Sequence, residues 1–266
     1  MKNTQFEAVR EIIDSKKSGF ITLMYKELLR FYKVFFQTVA APVTTAILYL
    51  LVFSQVLGEK IAYDTIPYTN FIIPGLMMMS MLQNAFSNPS SSLVQSRMTG
   101  SIIFMLMSPI SPMETFFAYI IAAISRGLLV GVSVWIVSLI MFPIFPSNIL
   151  WVITFSIIAC GIMGSLGIIA GLYSEKYDQL SVFQNFLIVP STFLSGVFYS
   201  IHNLPKFWQQ ISLYNPVFYV IDGFRFGFFD RSDVSPWQSL IITTSVLFML
   251  ASYALYLLSI GYKIRN

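Results

Sequence analysis

The sequence predicts an all-α membrane protein with six transmembrane helices, an N-terminal amphipathic interfacial helix, a short cytoplasmic helix between the second and third spans, and a re-entrant helical hairpin between the fifth and sixth. Three features predict it. Of 266 residues, 56% are apolar and 16% aromatic while only 11% are charged, against about 25% charged in soluble domains. A water-soluble fold of this length would lack the polar residues to cover its surface. The apolar residues gather in runs long enough to cross a bilayer, which takes about 20 residues at 1.5 Å rise. The basic residues, finally, fall unevenly on the two sides those runs define.

Residues 1–33 read as a cytoplasmic tail and interfacial helix. Phe20, Leu23, Met24, Leu28 and Phe31 recur at helical spacing, with Lys26, Glu27, Arg30 and Lys33 largely elsewhere on the wheel. A basic amphipathic helix of this kind lies in the membrane interface or packs on another chain. Phe6, Val9, Ile12 and Ile13 suggest a shorter helix before it. The membrane domain, 34–262, opens with apolar runs at 34–57, ended by Gly58-Glu59-Lys60, and at 67–86, ended by a turn at Asn88-Pro89-Ser90. A third run, 116–142, stops at Pro143, and Pro146-Ser147-Asn148 turns the chain into a fourth, 149–173. Glu175-Lys176-Tyr177-Asp178 returns it to water before a fifth run, 180–199, and a sixth, 237–262; residues 263–266 are a cytoplasmic C-terminus.

Two connections are unusual. In the link 87–115, the segment Ser101-Ile102-Ile103-Phe104-Met105-Leu106-Met107-Ser108-Pro109 is apolar yet too short to cross. Ser101 suits an N-cap and Pro109 a stop, leaving about two helical turns with Phe104 and Leu106 free to enter a partner's groove or to tuck under the bundle. Between the fifth and sixth runs, Phe198, Phe207, Trp208, Phe218, Phe224, Phe226, Phe228 and Phe229 are too many aromatics for a free aqueous loop. Two short helices dipping into the outer leaflet account for them, because non-helical backbone survives at membrane depth only where protein or a wet cavity satisfies it. Asp222 and Arg225, three residues apart, are spaced to pair there.

Orientation follows from the Lys and Arg count. Eleven fall on the side of the termini, seven of them before Val34, and four on the other, with Arg126 inside the third run. Both termini are therefore expected in the cytoplasm, and the formal charge of +4 is a topology signal rather than a call for nucleic acid. One cysteine, Cys160, and one histidine, His202, exclude an intrachain disulfide and any Cys- or His-rich metal site. The first thirty residues lack the uninterrupted apolar stretch of a cleavable signal. No internal repeat suggests a repeat-built carrier. With no Gly-x-x-x-x-Gly-Lys-Ser/Thr, the chain has no P-loop for a nucleotide.

Phe193-Leu194-Ser195-Gly196-Val197-Phe198-Tyr199 with Leu204-Pro205, then Leu213-Tyr214-Asn215-Pro216 and Asp222-Gly223-Phe224-Arg225, resemble the segment before the last helix in the ABC-2 family of permeases, the membrane subunits of type V ABC exporters. The likeness extends from Gly19 to the end, and is nearest to the small bacterial inner-membrane transport permeases. It implies that Gly196, Phe198, Pro205, Asn215, Pro216, Asp222 and Arg225 belong to a re-entrant hairpin facing outward. Ser101, Ile102, Phe104, Met105, Leu106, Ser108 and Pro109 match the helix that couples to the ATPase, and Lys26, Glu27 and Arg30 the interfacial helix that helps cradle it. It implies an exporter of an amphipathic or lipid-like substrate, a drug, lipid, glycolipid or saccharide. No cofactor is expected on this chain, since ATP and Mg belong to a separate ABC ATPase subunit. The other expected partners are membrane lipids and a second copy of the chain or a related permease.

Three features have two readings each. Arg126 either snorkels to the interface or meets an anionic headgroup. Met77 and Met78, with Met79 and Met81, offer a soft pathway surface or simply fill gaps in the core. Cys160 beside Gly161, Gly164 and Gly167 reads as close helix packing, and His202 as structural. The competing function classes are an intramembrane enzyme acting on lipid-linked substrates, which needs clustered carboxylates or histidines at one depth, and a scaffold or ion-coupled carrier.

Overall fold

The computed structural model describes residues 19–57, 61–63 and 66–262, with the side chains of 61–63 and 104–106 outside the description. The expected helix around Phe6–Ile13, the Gly58-Glu59-Lys60 stop and the tail 263–266 also lie outside the described residues. The fold is helical apart from one small ribbon. In chain order it comprises α1 (19–33), α2 (Phe35–Leu57), β1 (Ile61–Tyr63) paired antiparallel with β2 (Ile66–Pro67), α3 (Tyr68–Met98), α4 (Ile102–Met107), α5 (Pro112–Met141) and α6 (Ile149–Tyr173). Then come α7 (Tyr177–Phe183), a π-turn (Gln184–Ile188), α8 (Val189–Phe193), α9 (Lys206–Tyr214), α10 (Pro216–Phe229) and α11 (Pro236–Ser259).

Among the described residues, four helices are long and apolar enough to cross a membrane: α2, α5, α6 and α11. They match the first, third, fourth and sixth apolar runs. The second run becomes part of α3, whose 31 residues do not stop at Pro89 as expected but continue to Met98. Pro89 cannot donate to the Ala85 carbonyl, and the next two residues make extra side-chain bonds. Ser90 Oγ donates to the Phe86 carbonyl at 2.7 Å and Ser91 Oγ to that of Ser87, in a stretch of helix buried among its neighbours. The fifth run is broken rather than straight. It is helical from Tyr177 to Phe193 in pieces of 7, 5 and 5 residues, and it ends well before Tyr199. Pro190 cannot donate to the turn before it, so the backbone widens into the π-turn, and Gly196 at φ +77° breaks the helix off.

Buried α3 is the axis of the bundle, packed against α5 and α6 and in part against α2 and α10. Its upper half contributes Ile72, Ile73, Met78, Leu82 and Phe86 to the main core with Phe155 and Cys160 of α6 and Phe224 of α10. Its lower half joins Leu93 to Tyr119, Ile168 and Leu257 in a second cluster. The α3–α6 seam is close because α6 offers glycine: a Cβ on Gly167 would sit 2.5 Å from the Phe86 carbonyl oxygen, which bears out the packing reading of the Gly161–Gly167 stretch. The start of α5 differs from the sequence expectation. Ser111, Pro112 and Glu114 form a capping box, with Glu114 N–H donating to Ser111 Oγ at 3.2 Å and Ser111 N–H to Glu114 Oε2 at 2.7 Å, so the helix begins four residues before Phe116.

Candidate functional site

The site is built on α1. Its buried positions Leu23, Glu27 and Phe31 follow one another at intervals of four residues, so a carboxylate stands on the same stripe as two apolar anchors. Glu27 is fully buried against α3, where it accepts from Ser92 Oγ at 2.7 Å and pairs with Arg30 Nε at 3.3 Å and Lys26 Nζ at 3.4 Å. Arg30 in turn donates to Ser91 Oγ at 3.0 Å, to Asn88 Oδ1 at 3.1 Å and to the Asn88 carbonyl. Glu27 and Arg30 were expected on the polar, outward face of an interfacial helix. Their position is the reverse, because the serine-rich turns around Pro89 present hydroxyls, an amide and a carbonyl that a charged pair can satisfy while buried.

Above this clamp, α1, α2, α3 and α5, with Tyr177 and Gln184 beside them, line a partly open cavity of about 690 Å³. The lining mixes apolar Val34, Pro42, Leu76 and Met79 with polar Gln37, Thr38, Gln83, Asn84 and Arg126, so α2 and α3 each supply both kinds. The polar share of α3 is a stripe, Ser80, Gln83, Asn84, Ser87 and Ser91, recurring at i, i+3, i+4, i+7 and i+11. That is the spacing of one helix face, and it is the signal by which the cavity was legible before any fold was known. Sequence reasoning singled out Arg126 and missed its companions.

Arg126 stands near the middle of the 30 residues of α5, about 21 Å along the axis from its start. A charge at that depth costs about 2.5–3.5 kcal/mol in a membrane. One guanidinium nitrogen donates to Asn84 Oδ1 at 3.3 Å, and Asn84 Nδ2 donates to the Ser80 carbonyl at 3.0 Å. Arg126 Nε is shielded from solvent with no hydrogen-bond partner, and among the described residues no carboxylate lies within 4.0 Å of the guanidinium. The side chain therefore turns into the cavity.

The remaining expected site residues fall in three places. Met78 is fully buried and Met77 nearly so, both in the core. The stripe of α3 that faces the cavity is offset from them and offers Met79 of the same run. Ile102 is buried and begins α4, while Ser101 Oγ turns back to the Ser96 carbonyl at 3.3 Å. Phe104, Met105 and Leu106 lie within α4, and Ser108 and Pro109 follow it. A Cβ on Gly19 of α1 would meet the Ile110 side chain at 2.9 Å and Ser108 Oγ at 3.8 Å, so the segment after α4 abuts the described start of α1.

The hairpin residues converge at the opposite end of α3. Asn215 caps α10, accepting from Val217 N–H at 3.0 Å, and its Nδ2 donates to the Ser191 carbonyl at 2.6 Å, with Pro216 in the first helical position. That is the reason for an Asn-Pro pair here. Pro205 stands one position earlier relative to its helix, immediately before Lys206 of α9. The Gly196 carbonyl accepts from Arg225 at 2.8 Å, the Phe198 carbonyl accepts from Tyr68 Oη at 2.9 Å, and the Phe198 ring sits among Tyr49, Phe53 and Phe193. Asp222 and Arg225, spaced to pair, act on each other electrostatically, and each also meets a further neighbour. Asp222 accepts from the N–H groups of Asp233 and Val234 at 2.7 and 3.1 Å, and the Arg225 guanidinium lies 3.8 Å from the centre of the Phe71 ring. A loop with free backbone donors lay within reach of the carboxylate, and an aromatic face within reach of the cation. His202 meets a carboxylate distant in sequence: its Nε2 is 3.9 Å from Asp233 Oδ1.

Comparison with known proteins bears on the family. The family model described as "ABC-2 type transporter" matches residues 18–229. The chain is 33% identical over 234 residues to the inner membrane transport permease YadH of Escherichia coli strain K12, covering 88% of this chain and 90% of that one. It is also similar to Nodulation protein J of Rhizobium leguminosarum bv. viciae, at 22% identity over 78% of this chain and 81% of the relative. It is 25% identical to Nodulation protein J of Sinorhizobium fredii strain NBRC 101917 / NGR234, over 63% of this chain and 64% of the relative. Four apolar helices of membrane-crossing length, a family match that runs from α1 to the end of α10, and a relative one-third identical over nearly its whole length place this chain in the ABC-2 type transporter family, as a multi-pass inner-membrane subunit of a transporter.

Proposed function

We propose that this chain is the permease of an ATP-driven exporter, moving an amphipathic or lipid-like substrate (a drug, lipid, glycolipid or saccharide) with ATP hydrolysed, with its Mg, on a separate ABC ATPase subunit. Six spans are formed by α2, α3, α5, α6, the broken α7–α8 helix and α11, with both termini in the cytoplasm. In this reading α9 and α10 are the re-entrant hairpin. Exposed Phe207, Trp208 and Tyr214 on α9 suit an interfacial position, while α10 is buried against α6. A second copy or a related permease completes the conduit, and α2, which leaves Leu48, Val52 and Val56 exposed, is the helix best placed to meet it.

One observation carries the proposal. The described start of α1 abuts the segment after α4, the same helix is clamped to α3 by Glu27 and Arg30, and Arg30 lines the cavity. A partner that pushes α4 therefore shifts a wall of the cavity, which is the mechanical link a permease without its own P-loop needs. The test is co-purification with the nucleotide-binding subunit encoded beside it and stimulation of its hydrolysis by cargo in proteoliposomes. Phe104→Asp or Leu106→Asp is expected to leave the complex intact and abolish transport. Unchanged transport in an intact complex removes the assignment of α4, and transport without any ATPase removes the exporter reading.

A further inference from the structure

Resting on the reading of the cavity as the substrate's path, we propose that Arg126 binds a phosphate-type oxyanion, the headgroup of an amphiphile whose apolar part lies between Ala41, Pro42 and Ala46 of α2 and Leu76 and Met79 of α3.

The contrast among the arginines of the lower half of the bundle carries this. Arg30 is held by the Glu27 carboxylate, Ser91 and Asn88. Arg97 donates to the Leu172 carbonyl at 3.1 Å and to that of Ser174, closing the C-terminal end of α6. Both are tied to the structure. Among the described residues Arg126 has one hydrogen bond, to the neutral amide of Asn84, and no carboxylate within 4.0 Å. No described residue lining the cavity is acidic, and Arg30, the other cation there, is already paired with Glu27. Among the described residues the cavity therefore holds one uncompensated charge, and that charge is a planar fork of donors suited to an oxyanion.

The surroundings fit the rest of such a ligand. Gln83 and Ser87 flank Asn84 on the same stripe and add side-chain hydrogen-bonding groups, whereas Ala41, Pro42, Ala46, Leu76 and Met79 offer an apolar wall. At about 690 Å³ the space is far larger than an inorganic phosphate and lies within the usual range for small-molecule sites, about 300–1,000 Å³. A polar end beside Arg126 and an apolar end between Pro42 of α2 and Leu76 and Met79 of α3 match a headgroup with part of its chain.

The test uses the purified full-length chain in an uncharged detergent, with no ATPase present, titrated calorimetrically with dodecyl phosphate, dodecyltrimethylammonium and inorganic phosphate. Dodecyl phosphate is expected to bind, about tenfold or more weaker to Arg126→Gln and in part recovered by Arg126→Lys. Asn84→Asp guards against a misfolded variant: it places a carboxylate where the amide already meets Arg126, so the pair closes internally, the protein melts no lower than wild type, and dodecyl phosphate binding is lost. Inorganic phosphate competing only at far higher concentration assigns the oxyanion to an amphiphile; equal affinity with the same Arg126 dependence assigns the site to free phosphate and overturns the lipid part. Dodecyl phosphate affinity unchanged in both Arg126→Gln and Asn84→Asp, or equal affinity for the ammonium amphiphile, overturns the site. Because no hydrolysis is measured, failure here leaves the exporter reading standing, and failure to find an ATPase partner leaves this site standing.

Discussion

Glu27→Ala is expected to loosen α1 from α3, and the size of the effect follows from what the carboxylate holds. It loses an acceptor for Ser92 Oγ at 2.7 Å and the counter-ion of Arg30 at 3.3 Å. Removing one member of a buried pair costs about 3–5 kcal/mol, but the Arg30 side chain is 22% exposed and keeps its bonds to Asn88 and Ser91, which places the loss at the lower end. Lys26, 51% exposed, adds little, as exposed pairs do. The total comes to about 3 kcal/mol. Glu27→Gln preserves an acceptor for Ser92 and gives up only the charge, so about 2 kcal/mol is expected, in line with a charged hydrogen bond. In the double variant Glu27→Gln/Arg30→Gln the burial of an unpaired charge disappears, so the cost falls short of the sum of the single variants by about 1–2 kcal/mol. Thermal unfolding in detergent reads the loss, at about 2–4 °C per kcal/mol for domains of 150–250 residues. Hydrogen exchange along 19–33 reads the same loosening if α1 opens by itself. A Glu27→Ala protein with the melting temperature and α1 exchange of the wild type would refute the clamp, as would strictly additive single variants.

Three further outcomes are expected elsewhere in the fold. Asn215→Ala removes the cap of α10 and its tie to Ser191 and should cost about 1–2 kcal/mol. Asn215→Asp, which keeps the cap and loses the Nδ2 donor, should recover part of that in the same melt. Gly223→Ala places a methyl group within the Phe155 ring, so α10 must lift from α6 at a cost of about 1–3 kcal/mol, visible as a smaller monodisperse fraction on gel filtration after extraction. Ser111→Ala opens the capping box of α5 and should cost about 1 kcal/mol, with raised exchange confined to the first turn of that helix.

How much of this was legible in the sequence depended on the kind of force involved. Apolar runs follow from the need to satisfy every backbone group inside the bilayer, so α2, α5, α6 and α11 lay close to their expected places, and α6 began and ended on the expected residues, Ile149 and Tyr173. Pro89 was misread because a proline in water ends a helix, whereas one flanked by serines and wrapped by neighbours need not. Pro190 misled in the other direction, since a π-turn leaves no mark in hydropathy. Asp222 and Arg225 were read as partners because they are three residues apart. Their further contacts, the loop at Asp233 and the Phe71 ring, are brought near only by the packing of α10. Arg126 was visible as a charge in an apolar run, but its cavity required the polar stripe of α3 to be read as a face rather than as interruptions.

The position of the charged pair on α1 also bears on how such a cavity is moved. Only Val34 separates α1 from α2, and the backbone bonds Val34 N–H to Phe31 and Thr38 N–H to Val34 carry the chain across at 3.2 and 2.9 Å. The two helices are thus joined with almost no slack, and a displacement of α1 has no loop in which to dissipate. At its described start α1 abuts Ile110, and at its far end it leads directly into α2, which lines the cavity with Gln37, Thr38, Pro42 and Ala46. A displacement carried along α1 therefore shifts the α2 side of the cavity against the α3 side, with Glu27 and Arg30 as the point where α1 bears on α3. That bearing point follows from a buried carboxylate placed four residues from an apolar anchor on either side.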